Sequence, residues 1–277
     1  AVGTVAIGMD SLYALTSGAQ NVAIGYQALA ENTTGRRNIA IGYGAMDDSG
    51  GTNSADSDEN IFIGADSGGG DWSSGTDAKN EFNVCVGNAT MGAALSGANH
   101  NTAVGYAALN GVTTGDDNIG IGYNAGAAIN TGSNNVIMGF QCGDSMTSGS
   151  TNVAIGYSAM TASTGSGGAD YTIAIGREAL TSLTSGAANI AIGYQAGDAM
   201  TDAQRNVAIG YTALSAAAGD SSNVGIGYQA MLVSNGADHC VAVGTDALVA
   251  CTNGDYSVAI GSSAGNSLTG GNKCTLI

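Results

Sequence analysis

Few residues in this chain could do chemistry, and their spacing limits what that chemistry is. The only histidines are His100 and His239. Each stands five residues before a recurring glycine (Gly105 and Gly244), eight repeats apart. A nucleophilic triad needs serine, histidine and acid within hydrogen-bond reach of one another, which this placement denies. The cysteines (Cys85, Cys142, Cys240, Cys251 and Cys274) follow no CxxC or zinc spacing and read as occupants of small-residue slots. Two stretches, Gly120-Ile-Gly-Tyr-Asn-Ala and Gly225-Ile-Gly-Tyr-Gln-Ala, satisfy the dinucleotide pattern GxGxxA. That pattern works only where a strand leads into a helix within a βαβ unit, a context absent here.

Carboxylates are the remaining candidates, and they gather in two stretches. Asp47, Asp48, Asp56, Asp58 and Glu59 fall between residues 47 and 60; Asp66, Asp71, Asp77 and Glu81 fall between 66 and 82, with Trp72, the only tryptophan. As solvated loops they need no further role. As hard oxygen ligands, Asp47, Asp56, Asp58 and Glu59 could hold calcium, although no EF-hand spacing is present. An exposed Trp72 could stack on a sugar ring with Asp71 and Asp77 beside it. Glycan cleavage would further require two carboxylates about 5–10 Å apart across a groove. No catalytic residue and no organic cofactor is assigned; calcium is the one ion these loops would take.

The elements that must carry these residues are repeats. Of 277 residues, 46 are glycine and none is proline, while aromatic residues make up only 5% and charged residues 10%. A compact core of this size needs bulkier side chains, and collagen needs proline and glycine at every third position. An apolar-Ala-Ile-Gly phrase recurs fifteen times, at glycines from Gly8 to Gly261. Ten of the fourteen intervals are 17 residues, and the longer ones place insertions at about 47–60, 66–82 and 161–171. Aligned on the glycine, the columns are Asn, Val/Ile, Ala, Ile, Gly, Tyr, variable, small, and Leu/Met or Gly; Asn21, Ile24, Gly25, Tyr26 and Ala28 exemplify them. We number these columns from the glycine as zero.

Short β-branched strands closed by a glycine bend, with Thr-Ser-Gly or Thr-Thr-Gly turns, predict an all-β parallel solenoid of about fifteen coils. The Tyr-x-Ala-Leu segment is expected to return as a second extended piece. At about 4.8 Å per coil, fourteen intervals give a rod of roughly 70 Å. Valine and isoleucine ladders are expected to form a narrow dry core, and asparagine amides to pair from coil to coil. The flat alanine column is expected to face outward as a subunit interface, and the tyrosine column faces either way. Adjacent Thr/Ser pairs sit in turns and do not form the flat Thr-x-Thr face of an ice-binding solenoid.

Net charge is −16, which repels nucleic-acid phosphates and anionic membrane surfaces. No apolar run approaches the ~20 residues of a spanning helix. The phrases Asn21-Val-Ala-Ile-Gly-Tyr-Gln-Ala28, Asn152-Val-Ala-Ile-Gly-Tyr-Ser-Ala159 and Asn206-Val-Ala-Ile-Gly-Tyr-Thr-Ala213 resemble two groups of fibre repeats. These are the head of trimeric autotransporter adhesins, a left-handed parallel β-roll, and the repeat shaft of phage tail-fibre proteins. The resemblance covers nearly the whole chain, although the adhesin unit has about 14 residues instead of 17. It implies a single repeat domain (1–277) within a longer fibre, a homotrimer or end-to-end filament, located outside the cell on a virion or cell surface. A surface glycan or receptor would be its target; neither nucleic acid nor membrane insertion is implied.

Overall fold

The structure, a computed structural model, describes residues 2–49, 57–72, 79–163 and 169–277. It comprises two compact units, Ala1–Met138 and Gly139–Ile277. Each is a parallel β-solenoid, with no α-helix among the described residues. The first unit stacks eight three-residue strands: β1 (Val5–Ile7), β2 (Val22–Ile24), β3 (Ile39–Ile41), β4 (Ile61–Ile63), β5 (Val84–Val86), β6 (Thr102–Val104), β7 (Ile119–Ile121) and β8 (Val136–Met138). The second stacks β9 (Val153–Ile155), β10 (Ile173–Ile175), β11 (Ile190–Ile192), β12 (Val207–Ile209), β13 (Val224–Ile226), β15 (Val241–Val243), β17 (Val258–Ile260) and the short β18 (Thr275–Leu276). A second parallel pair, β14 (Val233–Asn235) and β16 (Ala250–Thr252), forms at another corner of that unit. Register is column on column: Val22 pairs with Ile39 and Ala23 with Ala40.

Each strand is bounded by backbone that cannot continue it. Column −5 is left-handed in every turn, with φ from 56° at Arg37 to 69° at Gly3, and the column-0 glycines lie at φ 123–144°. Only glycine tolerates the latter region. At Gly105 an added Cβ would also stand 2.6 Å from the carbonyl oxygen of Gly122 in the next turn. The glycine column is therefore a line of close backbone approach as well as a bend.

The Tyr-x-Ala-Leu segment is not the extended return strand expected from its sequence. It is a run of turns with left-handed residues at columns +2 and +4, such as Gln27 (φ 55°) and Leu29 (φ 52°). A non-glycine residue pays roughly 1 kcal/mol to sit there. Hydrogen bonds between turns hold the conformation: Leu29 N–H donates to Ala45 C=O (3.0 Å) and Leu109 N–H to Ala125 C=O (3.0 Å).

The core is inverted relative to the sequence reading. The alanine column points inward: Ala23, Ala40, Ala103, Ala154, Ala174 and Ala208 are wholly buried. It therefore does not supply a subunit interface. Valine and isoleucine at columns −3 and −1 are half-buried or exposed on the outer face. Leu29, Met46, Leu109, Met160, Leu180 and Leu214, all column +4, fill the interior from the opposite wall. The cross-section is too thin for two bulky walls, so a small column must oppose a large one. Where column +4 is glycine, another side chain takes the space. A Cβ on Gly126 would meet Ile129 and Leu109 at 2.9 Å, one on Gly197 would meet Leu180 at 2.9 Å, and one on Gly68 would meet the Phe62 ring at 2.7 Å.

Column −4 forms the expected asparagine ladder, and it is buried. In the first unit the Asn101 Oδ1 accepts from the N–H of Asn118 (3.0 Å) and from its Nδ2 (3.1 Å). Nδ2 of Asn101 donates to Asn83 Oδ1 (3.1 Å) and to Gly115 C=O (2.9 Å). Every polar atom of the side chain is thus used, as burial requires.

Candidate interaction surface

Inversion of the core leaves an apolar surface outside. Columns −3 and −1 present Val or Ile in most turns, and parallel register stacks them into two ladders within each unit, with Thr102 and Thr275 as exceptions at column −3 and Met138 at column −1. Val86, Val104, Ile119, Ile192 and Ile260 are exposed and the remainder are mostly half-buried. Apolar ladders of this length are unusual on an exposed sheet face.

Aromatic columns border this face. Tyr43, Tyr106, Tyr157, Tyr211 and Tyr228, at column +1, are all exposed, which resolves their direction as outward. Their rings stack on one another: Tyr26–Tyr43 and Tyr106–Tyr123 at 5.3 Å in the first unit, and Phe140–Tyr157 (5.4 Å), Tyr194–Tyr211 (5.0 Å) and Tyr211–Tyr228 (5.3 Å) in the second. Arg177 stands in the same column, its guanidinium 5.3 Å from the Tyr157 ring centre and 5.8 Å from that of Tyr194. It bridges the two tyrosines by cation–π contact. Glu178 anchors it at 3.0 Å, and Arg177 followed by the amide of Gln195 holds that carboxyl below its usual range. Beyond the strand, column −5 repeats the pattern with Phe82 on His100 (5.3 Å) and His239 on Tyr256 (5.0 Å). Rings inside a stack, such as Tyr211, offer only their edges to solvent, while a ring at the end of a stack, such as Tyr43, has one face free of ring contact.

The predicted loop sites are dispersed. Asp56 and Asp77 lie outside the described residues. Asp58 accepts the Arg36 N–H (2.6 Å) and faces Arg37 (3.7 Å), while Glu59 pairs with Arg37 at 2.6 Å. Asp58 belongs to a structural column, −6, whose side chains accept the backbone N–H of the preceding turn. Asp116 does so for Asn99 (2.7 Å), Asp170 for Ser150 (2.7 Å) and Asp238 for Ser221 (2.6 Å). These aspartates therefore serve to satisfy the chain's own backbone.

Asp47 joins a different group. It lines a cleft with Gln27, Glu31 and Asp48, and Asp66 and Asp71 approach from the next turn. Burial, followed by a hydrogen bond to Asp48 and repulsion from Asp48, Asp71 and Asp47, raises the Glu31 carboxyl above its usual range. Burial raises Asp47 as well. Sequence reasoning missed Glu31, although it stands 17 residues before Asp48, one repeat away in the same column. Among the described residues no three His, Cys, Asp or Glu side chains are set to hold a metal ion.

Trp72, expected as an exposed sugar platform, is 1% exposed and packs on Phe62 with ring centres 5.8 Å apart. The oversized ring pair occupies the space left by Gly68 at column +4. Among the described residues no helix is long and apolar enough to cross a membrane. No protein-family model matches the chain, and neither a curated protein nor a solved structure matches it.

Proposed function

We propose that this chain is a structural shaft segment of an extracellular fibre, on a virion or cell surface, assembled from three copies packed through their outer Val/Ile faces. The observation that supports this reading is the pair of largely apolar ladders on the outside of each unit, broken only by Thr102 in the first and Thr275 in the second among the described residues. In the first unit the strand face from column −3 to column −1, eight turns long, measures about 10 by 38 Å, or about 400 Å². That is half of the about 800 Å² that each partner of a stable protein–protein interface buries, and the bordering aromatic column adds to it. The number three rests on the resemblance to trimeric fibre repeats. The work of such a segment is mechanical: backbone ladders, a buried amide ladder and stacked rings all resist bending and local opening, so a tip or side loops are held away from the surface.

The glycan reading of the acidic loops loses its main support because Trp72 is in the core. Light scattering at several concentrations tests the fibre reading. A constant mass of three chains is expected for the native protein. Ile24→Glu combined with Ile41→Glu should give a single-chain mass with unchanged β-type circular dichroism. A native mass of one chain would overturn the reading, and growth with concentration would replace the trimer with an end-to-end filament.

A further inference from the structure

The two buried cysteines of the turn around Gly244 occupy positions that, elsewhere in the chain, hold a pair of facing amides. In the turn around Gly25, Asn21 (column −4) and Asn32 (column +7) both donate to Gly35 C=O, at 2.7 and 3.3 Å. Cys240 and Cys251 hold the same two columns around Gly244, and their thiols meet at the equivalent carbonyl, Gly254 C=O, at 2.8 and 3.8 Å. Both side chains are wholly buried. The narrow core that brings the two amides to one oxygen therefore brings the two sulfurs to one oxygen.

We propose that Cys240 and Cys251 form an oxidisable dithiol that closes to an intramolecular disulfide in oxidising surroundings, stapling the turn Cys240–Gly254 across its own core. The proposal does not depend on the fibre reading or on the number of copies. A hydrogen bond from Cys251 lowers the Cys240 thiol to about 7, while the same contact and burial push Cys251 up. Cys240 is therefore the sulfur that ionises first. With oxidised glutathione as the oxidant, the Cys240 thiolate attacks one glutathione sulfur, the glutathione S–S bond breaks and one glutathione thiolate leaves. Cys251 then loses its proton and attacks the Cys240 sulfur of the mixed disulfide, releasing the second glutathione thiolate. Two protein thiols are oxidised and one glutathione disulfide is reduced to two thiols. Because both sulfurs are buried, exchange runs through local opening of this turn. Cys85, in the alanine column, is wholly buried, and burial pushes its thiol up out of the reactive range.

The sequence supplies a direct assay. Arg205 and Lys273 bound a tryptic peptide, Asn206 to Lys273, that contains Cys240 and Cys251 and no other cysteine. The native protein is equilibrated with a glutathione redox buffer, alkylated, digested without reduction and weighed. The expected result is this peptide lighter by two hydrogens and unalkylated, with its two thiols recovered after reduction. The thermal midpoint should rise on oxidation in the native protein and stay unchanged in Cys251→Ser. Cys240→Asn, which restores the residue most turns carry at this column, guards against a misfolded variant and should also abolish the shift. A doubly alkylated peptide, or one carrying glutathione without the internal bond, would overturn the proposal.

Discussion

The two units differ in where their ladders are continuous. In the first, the inner amide ladder runs unbroken from Asn21 through Asn38, Asn60, Asn83, Asn101 and Asn118 to Asn135. Its outer aromatic column is interrupted, since Ala65 and Asn88 separate Tyr26–Tyr43 from Tyr106–Tyr123. In the second unit the outer column is continuous from Phe140 to Tyr228 through Arg177, while the inner column takes Thr172, Cys240, Ser257 and Cys274. Those replacements remain small and polar or weakly polar. Thr172 Oγ1 accepts from Asn189 N–H (3.4 Å) and Ser257 Oγ donates to Gly271 C=O (2.8 Å). An inner position must satisfy buried backbone groups, so its alternatives are few. An outer position only has to stack, and alanine, asparagine or arginine all serve there.

The sharpest break of that comparison comes from the positions with no freedom. Gly105→Ala forces a Cβ against the Gly122 carbonyl at a φ that alanine avoids, and should cost about 4 kcal/mol or abolish folding of the first unit. Next, Asn101→Ala strands Gly115 C=O and the N–H of Asn118, and removes one of two hydrogen bonds from the Asn118 amide and from Asn83 Oδ1. It should cost about 3 kcal/mol, against about 1 kcal/mol for Thr172→Ala in the second unit. Denaturant midpoints of the two variants measure the difference, and equal losses would show that the two inner ladders are equivalent.

The outer column should respond more mildly. Tyr211 has two ring neighbours and Tyr43 one, so Tyr211→Ser should cost about 1 kcal/mol and Tyr43→Ser about half that. Thermal melts test the ratio, and a larger loss at Tyr43 would reverse the ranking. Smallest is a pH effect shared by both units. Burial raises Asp47 in the first unit and Asp144 and Asp198 in the second. A carboxyl whose folded pKa is raised binds its proton more tightly when folded, so folding gains as pH falls toward the carboxylate range and that gain is lost as pH rises through it. Melting temperature should therefore increase modestly from pH 7 to pH 5, and Asp47→Asn should reduce the increase.

Much of this was legible before any coordinates. The period from Gly8 to Gly261, the strand triplets and the amide ladder from Asn21 follow from repetition, because parallel stacking puts like residues on like. The direction of the strand faces was not legible from alternation, which has the same form whichever face is inside. A clue lay in exceptions: Phe62 stands in the alanine column of the one turn that carries Gly68 at column +4, so the two positions share a volume. Trp72 was misplaced for the same reason, since a tryptophan beside an insertion reads as surface until the cavity next to Phe62 is known.

The sequence by itself determined the repeat, its phase and the chemistry of each column. Only the tertiary structure decided which columns face each other across the core. A turn of about 17 residues encloses so little space that volume, rather than hydrophobicity, selects what goes inside: alanine opposite leucine fits, and valine with isoleucine is left on the outer face. The same narrowness brings Asn21 to Asn32 and Cys240 to Cys251, pairs eleven residues apart that no local pattern would join.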